Sequence, residues 1–287
     1  MAANPVSLPV RVPHVTKILL PVDFSEASHS AFWRAVEVAR IYNASLLLVH
    51  VMAHPTSSGM ANVLPGAIAK LVADMEADLD RMRQQAEEHG VPCTTLLREG
   101  GVVEQVREVA RHQNIDLLVL ATHGGRGVHG LFLGSIAVRL IRTFTIPVLT
   151  IGIARNQPSW AERGAQHILF AGDFCPETLC GLSVALGVRQ RTGAKLSILR
   201  VVPPGTKPEK IRAIRENIES LVPPDAEIHI AEGKVGATVC NLARSLGVGL
   251  IALGVHKDSF AREVFGTSLT EIILTAPCPV VSIRQCD

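Results

Sequence analysis

The sequence repeats itself, and this repeat constrains the fold more strongly than any other feature. Residues 17–25 read KILLPVDFS, and residues 167–175 read HILFAGDFC. Each segment is an apolar strand that ends in Asp-Phe, and a helical pattern of apolar residues follows it in both copies. A duplication of one unit therefore explains the chain better than two unrelated domains do.

Three further pairs of segments match in the same order, namely 45–51 with 196–202, 99–100 with 232–233, and 146–151 with 278–283. The spacing between matching residues falls from 150 at the first strand to 133 at Glu99 and Glu232. The first copy therefore contains an extra stretch, a loop followed by a charged helix predicted over residues 69–89. We predict one domain over residues 1–154 and a second over residues 165–287, joined by a polar linker.

Short apolar strands alternate with helical patterns in each copy. Hydrophobic residues make up 47% of the chain and charged residues 19%, a composition that favours strands buried on both faces. The predicted fold class is α/β: two tandem Rossmann-like domains, each a five-stranded parallel sheet with helices on both faces. Such sheets bind ligands at the carboxyl ends of strands where the winding direction reverses, so Asp23 and the loop from Ala121 are the first candidates.

The loop after the fourth predicted strand carries the clearest binding signal. Residues 121–135 read ATHGGRGVHGLFLGS, and five of these fifteen residues are glycine. Glycines let a backbone approach a ligand closely, and the free N–H groups of a helix start, here at Gly134 and Ser135, bind phosphate oxygens. The alternative is a glycine-rich turn without a ligand, in which Ser135 only caps the helix.

Other nucleotide and hydrolase motifs do not fit. The loop contains a formal G-x-G-x-x-G, but the next carboxylate is Glu162, beyond the following strand, whereas a dinucleotide fingerprint requires an acidic residue about 20 positions later. The sequence contains neither G-x-x-x-x-G-K-[ST] nor G-x-S-x-G. A dinucleotide fold, a P-loop and a hydrolase nucleophile are therefore disfavoured.

These residues resemble the universal stress protein family, and the resemblance covers nearly the whole chain twice. Members typically end the first strand with an Asp-Phe-Ser turn, here residues 23–25, and the second with His-Val, here residues 50–51. ATP-binding members carry G-x2-G-x9-G-[ST], which this chain matches as Ala121-x2-Gly124-x9-Gly134-Ser135, with only the first glycine replaced.

The resemblance implies an ATP site in the first copy. Asp23 corresponds to a carboxylate that accepts hydrogen bonds from the ribose or the adenine edge, and Val51 to the position whose backbone reads adenine. The loop glycines and the helix start correspond to the phosphate cradle, Ala121 replaces a glycine beside the ribose, and Arg126 can reach a triphosphate as a planar donor. The candidate contacts are Asp23, Val51, Ala121, His123, Gly124, Arg126, Gly134, Ser135 and Ile136.

The second copy has a degraded version of the same loop. Its candidate contacts are Asp173, Val201, Gly254, Gly266 and Thr267. Lys257 stands where the second glycine belongs, the loop is one residue shorter, and Asp258 and Glu263 add negative charge. We predict that this copy binds nucleotide more weakly than the first. The alternative is that Lys257 itself contacts phosphate as a point charge.

Charge and composition disfavour several other partners. The net charge is +2 without a basic stripe, which argues against nucleic acid. No apolar run approaches the roughly 20 residues of a membrane span, and we expect no signal peptide and a cytoplasmic location. His123 and His129 have no third ligand at a recognisable spacing, so no metal site is predicted.

The predicted function is ATP binding, with or without Mg²⁺, by a regulatory or stress-response module. Fast turnover is not expected, because no P-loop lysine or carboxylate cluster accompanies the loop. Two alternatives stay open: a slow nucleotide-dependent enzyme, either an ATPase or an adenylyl transferase, or a dimeric scaffold that binds no nucleotide. The resemblance also implies an intramolecular pseudo-dimer, or a homodimer, with residues 146–151 and 278–283 at the interface.

Overall fold

A computed structural model describes residues 14–52, 65–122, 133–152, 166–255 and 267–284. The chain divides into two compact units. The N-terminal unit is His14–Phe144, and the C-terminal unit holds the described residues from Thr145 onward. Both units are α/β with mostly parallel strands, which confirms the predicted fold class.

The N-terminal unit contains a four-stranded parallel sheet in the order β3-β2-β1-β4. Its elements are β1 Lys17–Pro21, α1 Glu26–Tyr42, β2 Ser45–Met52, α2 Pro65–Glu88, β3 Cys93–Glu99, α3 Val102–His112, β4 Leu117–Ala121 and α4 Ser135–Thr143. The chain moves outward from β1 to β3 and then crosses back to β4. The winding direction therefore reverses between β1 and β4, and the carboxyl ends of these two strands define the crevice where such folds bind ligands.

The central strand shows why these residues form a parallel sheet. Ile18, Leu19 and Leu20 of β1 are consecutive and all fully buried, so both faces of the strand are covered. Parallel strands covered on both faces read as continuous apolar runs without alternation. The same holds for Leu118 and Val119 of β4, which are also fully buried.

The C-terminal unit repeats this arrangement, with strand order β5-β10-β9-β6-β7-β8. Its elements are β5 Val148–Ile151, β6 His167–Ala171, α5 Leu179–Thr192, β7 Lys195–Val202, α6 Pro208–Glu219, β8 Glu227–Glu232, α7 Val235–Ser245, β9 Leu250–Gly254, α8 Thr267–Thr275 and β10 Val280–Ile283. Strands β6 to β10 are parallel to their neighbours in this group. The winding reverses between β6 and β9, the counterparts of β1 and β4.

Strand β5 belongs to the first sequence copy but pairs within the C-terminal unit. It runs antiparallel to β10, with Thr150 opposite Val280. The Thr150 hydroxyl donates a 3.0 Å hydrogen bond to the Val280 carbonyl in the buried interior. The two segments expected at a shared interface are therefore neighbours in one sheet. The boundary between compact units falls after Phe144, before the predicted linker, and the limits 1–154 and 165–287 remain a prediction from the repeat.

In the five described ranges, every helix is too short or too polar to cross a membrane.

Candidate functional site

Asp23 lies two residues beyond β1, at the carboxyl edge of the sheet, and is exposed. Its Oδ1 accepts hydrogen bonds from the backbone N–H of Ser25 at 3.1 Å and from the Ser25 hydroxyl at 2.6 Å. Its own N–H donates to the Ser28 hydroxyl at 3.2 Å. The turn thus fixes both the backbone and the carboxylate of Asp23.

The start of α1 is part of the same turn. Ser25 is the N-cap, and its side chain accepts a hydrogen bond from the Ser28 N–H at 3.2 Å. Glu26 follows in the first turn, where negative charge is favourable. Because Ser25 contacts both Asp23 and the helix start, the helix and the carboxylate are positioned together.

Phe24 has an unusual backbone conformation. Its φ of 59° lies in the left-handed region, which costs a non-glycine residue about 1–2 kcal/mol. The Phe24 ring stacks on the His50 ring, with centroids 4.6 Å apart and planes 31° apart. Phe174, at the matching position of the second copy, has a φ of 64°. Strain of this kind persists where the surroundings enforce it and clusters at functional sites.

Val51 lies at the same edge of the sheet. The pairing of β1 with β2 ends at Pro21 and Val49, where the Val22 N–H donates to the Val49 carbonyl at 2.9 Å. Strand β2 continues to Met52. The half-buried Val51 therefore lies beyond the last β1–β2 pair, level with the Asp23 turn.

A hydrogen bond joins the described residues at the two ends of the glycine-rich segment. Strand β4 ends at Ala121, and the Gly134 N–H donates a 3.0 Å hydrogen bond to the carbonyl of Thr122. Thr122 is buried at 1% exposure, so the acceptor is part of the packed interior. The start of α4 is therefore held beside the carboxyl end of β4, and β4 is the neighbour of β1.

The first turn of α4 has backbone N–H groups that are not used within the helix. Its N-cap is Gly134, without a side-chain cap, so Ser135 is the first helical residue and does not itself cap the helix. The N–H of Gly134 is used by Thr122, which leaves Ser135, Ile136 and Ala137 with N–H groups that have no acceptor within the helix. Ile136 is 44% exposed, a high value for a large apolar side chain.

The predicted contacts His123, Gly124, Arg126 and Gly266 lie outside the described residues. So do Lys257, Asp258 and Glu263, on which the expected weakness of the second copy rests. The structure does place Asp23, Val51, Ala121, Gly134, Ser135 and Ile136 on strand ends, turns and a helix start around one sheet edge. Among the described residues, no cluster of three or more His, Cys, Asp or Glu side chains is arranged to hold a metal ion.

The second copy arranges its aspartate differently. Asp173 is half-buried, and its Oδ1 accepts a 2.7 Å hydrogen bond from the Thr178 hydroxyl and a 3.2 Å bond from the Cys175 N–H. Helix α5 begins at Leu179, whereas the repeat matches the start of α1 with Pro176. The turn is thus longer by three residues, and Thr178 at its end reaches back to the carboxylate.

Two glycines bring α5 close to the end of β9. A Cβ at Gly254 would lie 2.0 Å from the Thr178 carbonyl oxygen, and a Cβ at Gly181 would lie 2.3 Å from the Gly254 nitrogen. The first copy has Ala31 and Ala121 at these positions. The glycines of the second copy therefore permit close packing of helix on strand, and the Thr178 backbone covers Gly254. Val201 lies in β7, and Thr267 begins α8.

Sequence reasoning missed four polar contacts that shape these turns. They are made by Ser28, His50, Thr122 and Thr178. The spacing of Ser25 and Ser28 ahead of a helical pattern was an available capping signal. The contacts of His50 and Thr122 join residues that are distant in sequence or use backbone atoms, and a single sequence carries no local signal for them. The contact of Thr178 with Asp173 spans only five residues, but it depends on where the following helix begins.

The fold and the site together define a doubly wound α/β protein with a ligand crevice at the point where its strand order reverses. The chain belongs to the universal stress protein family, whose model matches residues 14–152 and 164–284. It is 34% identical over 141 residues to universal stress protein A homolog 1 of Coxiella burnetii, covering 48% of this chain and 96% of that relative.

A universal stress protein of Methanocaldococcus jannaschii is 30% identical over 137 residues, which is 47% of this chain and 81% of the relative. The crystal structure of a universal stress protein from Archaeoglobus fulgidus matches with a TM-score of 0.73 at 19% identity, covering 94% of this chain and 97% of that chain. The structural match shows that the two chains share a fold.

Proposed function

We propose that this universal stress protein binds ATP in its first copy and acts as a regulatory or stress-response module. The observation that carries the proposal is the hydrogen bond from Gly134 to Thr122, which holds an uncapped helix start beside the end of β4. Helix starts of this kind bind phosphate oxygens. The Asp23 carboxylate lies just beyond the adjacent strand, where a ribose would be recognised.

In this proposal each part of the nucleotide has its own contacts. The N–H groups of Ser135 and Ile136 bind phosphate, assisted from the loop by His123, Gly124 and Arg126. Asp23 accepts hydrogen bonds from the ribose, Ala121 lies beside the sugar, and the backbone of Val51 reads the adenine edge. Mg²⁺, where present, is carried by the phosphates.

We propose binding without fast turnover. Phosphoryl transfer depends on positioned cations and on a group that orients the nucleophile. The sequence has no P-loop lysine, and the Asp23 Oδ1 already accepts two hydrogen bonds from Ser25. We therefore assign Asp23 to ligand binding within a fixed turn.

The second copy is proposed as the weaker site. Asp173 is half-buried whereas Asp23 is exposed, and the Thr178 backbone covers Gly254, so the two groups nearest a ribose are less accessible than in the first copy. The pairing of β5 with β10 supports a further proposal, that the two sequence copies form an intramolecular pseudo-dimer. A cytoplasmic location also remains a proposal from the sequence.

Two measurements test the proposed function. Mass spectrometry of ligand released from the denatured, purified protein identifies any nucleotide that co-purifies, and calorimetric titration with ATP and GTP, with and without Mg²⁺, measures binding. We expect ATP to bind and phosphate release to stay far below the 1–10³ s⁻¹ of typical enzymes. Absence of any bound nucleotide would instead favour the scaffold, and rapid phosphate release would favour an enzyme.

A further inference from the structure

We propose that His50 is a positioning residue for the nucleotide site, holding in place the residues on both sides of Asp23. The inference rests on the proposed function, because its consequence is measured as ATP affinity. His50 itself is not expected to touch the nucleotide. It acts on the turn that carries the carboxylate.

His50 contacts the residues immediately before and after Asp23 in the sequence. The imidazole Nδ1 lies 2.8 Å from the carbonyl oxygen of Val22, the residue before Asp23. The imidazole ring stacks on Phe24, the residue after Asp23, at a centroid distance of 4.6 Å. One side chain on β2 therefore contacts both neighbours of a carboxylate on the turn after β1.

The hydrogen bond to Val22 defines which ring nitrogen of His50 carries a proton. A carbonyl oxygen can only accept a hydrogen bond, so Nδ1 carries the proton and donates to Val22. The side chain thereby extends the β1–β2 hydrogen bonding by one position past the Val22–Val49 bond. The direction in which the chain leaves β1, and with it the location of Asp23, depends on this bond.

The ring contact restrains the side chain of Phe24, with the two ring planes 31° apart. Phe174 in the second copy keeps a φ of 64° without a histidine, so the left-handed conformation is a property of the turn and does not depend on His50. The ring of His50 therefore holds the Phe24 side chain, while the hydrogen bond to Val22 holds the backbone that precedes Asp23.

The second copy lacks this arrangement. Arg200 stands at the position of His50, and the Phe174 ring packs edge-on against Phe170 in the core, at 5.4 Å. The aspartate in that copy is held by Thr178 instead. Of the two copies, only the one proposed to bind ATP has a histidine that contacts both neighbours of its aspartate. The second copy therefore provides a matched control.

The test separates the two contacts of the imidazole. His50→Phe keeps an aromatic ring against Phe24 but removes the donor, whereas His50→Asn places an amide N–H close to the position of Nδ1 and restores it. We expect His50→Phe to weaken ATP binding about fivefold, the effect of one lost hydrogen bond. His50→Asn should recover most of the affinity. Phe174→Leu should lower the melting temperature and leave ATP affinity unchanged.

Hydrogen exchange reports on the turn without nucleotide. The N–H groups of Asp23, Ser25 and Ser28 are all hydrogen-bonded in the turn. We expect faster exchange there in His50→Phe and restored protection in His50→Asn. If the wild type binds ATP and His50→Phe leaves either the exchange rates or the affinity unchanged, the proposed role of His50 is wrong while the proposed function stands. If the full-length wild type binds no ATP, the proposed function fails and the role of His50 fails with it.

Discussion

At the scale of single residues, the two copies hold the matching aspartate in different ways. Asp23 is exposed and held by Ser25, while Asp173 is half-buried and accepts the Thr178 hydroxyl at 2.7 Å. The exposed carboxylate of Asp23 is accessible to the ligand that we propose, whereas the Asp173 carboxylate is held inside a longer turn. We therefore predict different effects for substitution of the two aspartates.

We expect Asp23→Ala to weaken ATP binding more than tenfold, about 1.4 kcal/mol or above, because the ribose loses its acceptor. Calorimetric titration measures this loss. Asp23→Asn keeps an oxygen for Ser25 and tests whether the charge matters beyond the shape of the turn.

Asp173→Ala is the matched control. It should leave ATP affinity unchanged and reduce the free energy of unfolding by about 1 kcal/mol, because the Thr178 hydroxyl loses a hydrogen-bond partner. Equal loss of ATP affinity in Asp23→Ala and Asp173→Ala would contradict the assignment of the site to the first copy.

We predict that an added side chain at Gly254 or Gly181 lowers the stability of the fold by steric overlap. An added Cβ at either position would lie within 2.3 Å of backbone atoms, which cannot move aside like the end of a side chain. We expect Gly254→Ala and Gly181→Ala each to lower the free energy of unfolding by about 1–3 kcal/mol in urea denaturation. Gly152→Ala is the control, since nothing lies within 4 Å of its Cβ position, and it should change stability little.

The sequence predicted the location of the candidate site but not its internal contacts. Asp23 and Ala121 could be placed at strand ends because strands β1 and β4 are continuous apolar runs. The engagement of Asp173 by Thr178 could not be predicted, because it depends on where α5 begins. Helix starts are set by the balance of local capping and tertiary packing, and a single sequence reports only the first.

At the scale of elements, the hydrogen bond from the Gly134 N–H to the Thr122 carbonyl is the feature that can be tested most directly. The φ of −57° at Gly134 is one that proline adopts, so Gly134→Pro removes the N–H donor while fitting the backbone. We expect ATP affinity to fall about fivefold, because the helix start is no longer held at the end of β4. Titration of this variant against the wild type measures the effect.

The variant Gly134→Ala tests whether a loss of affinity in Gly134→Pro comes from the lost hydrogen bond or from the added side chain. Its Cβ would lie 3.6 Å from the Thr122 oxygen, an ordinary contact, and the N–H is retained. We expect nearly wild-type affinity. Weakening by the alanine variant as strong as that by the proline variant would show that the hydrogen bond is not the cause.

Elements buried on both faces were predicted best. The apolar segments that open residues 17–25 and 167–175 correspond to β1 and β6, and the segment 45–51 corresponds closely to β2. Strands β3 and β8 are partly exposed and mix polar with apolar residues, so they carried no clear signal. The antiparallel pairing of β5 with β10 joins residues about 130 apart, and its inclusion in the C-terminal unit could not be inferred from local pattern.

At the scale of the whole molecule, we expect one tightly bound nucleotide per chain. Titration should give a stoichiometry near one, abolished by Gly124→Val and nearly unaffected by Gly266→Val, because only the first loop has the family spacing. Two equal sites, or loss of binding only with the Gly266 change, would reverse the assignment of the two copies.

The pairing of β5 with β10 also bears on how a gene for such a chain can change over time. A strand encoded in the first half completes the sheet of the unit that the second half encodes. Deletion of the first half would leave the edge of β10 open to water or to another chain. Loss of the first half would therefore cost the second half part of its sheet, whereas substitutions in the segment between β9 and α8 change none of its strand residues.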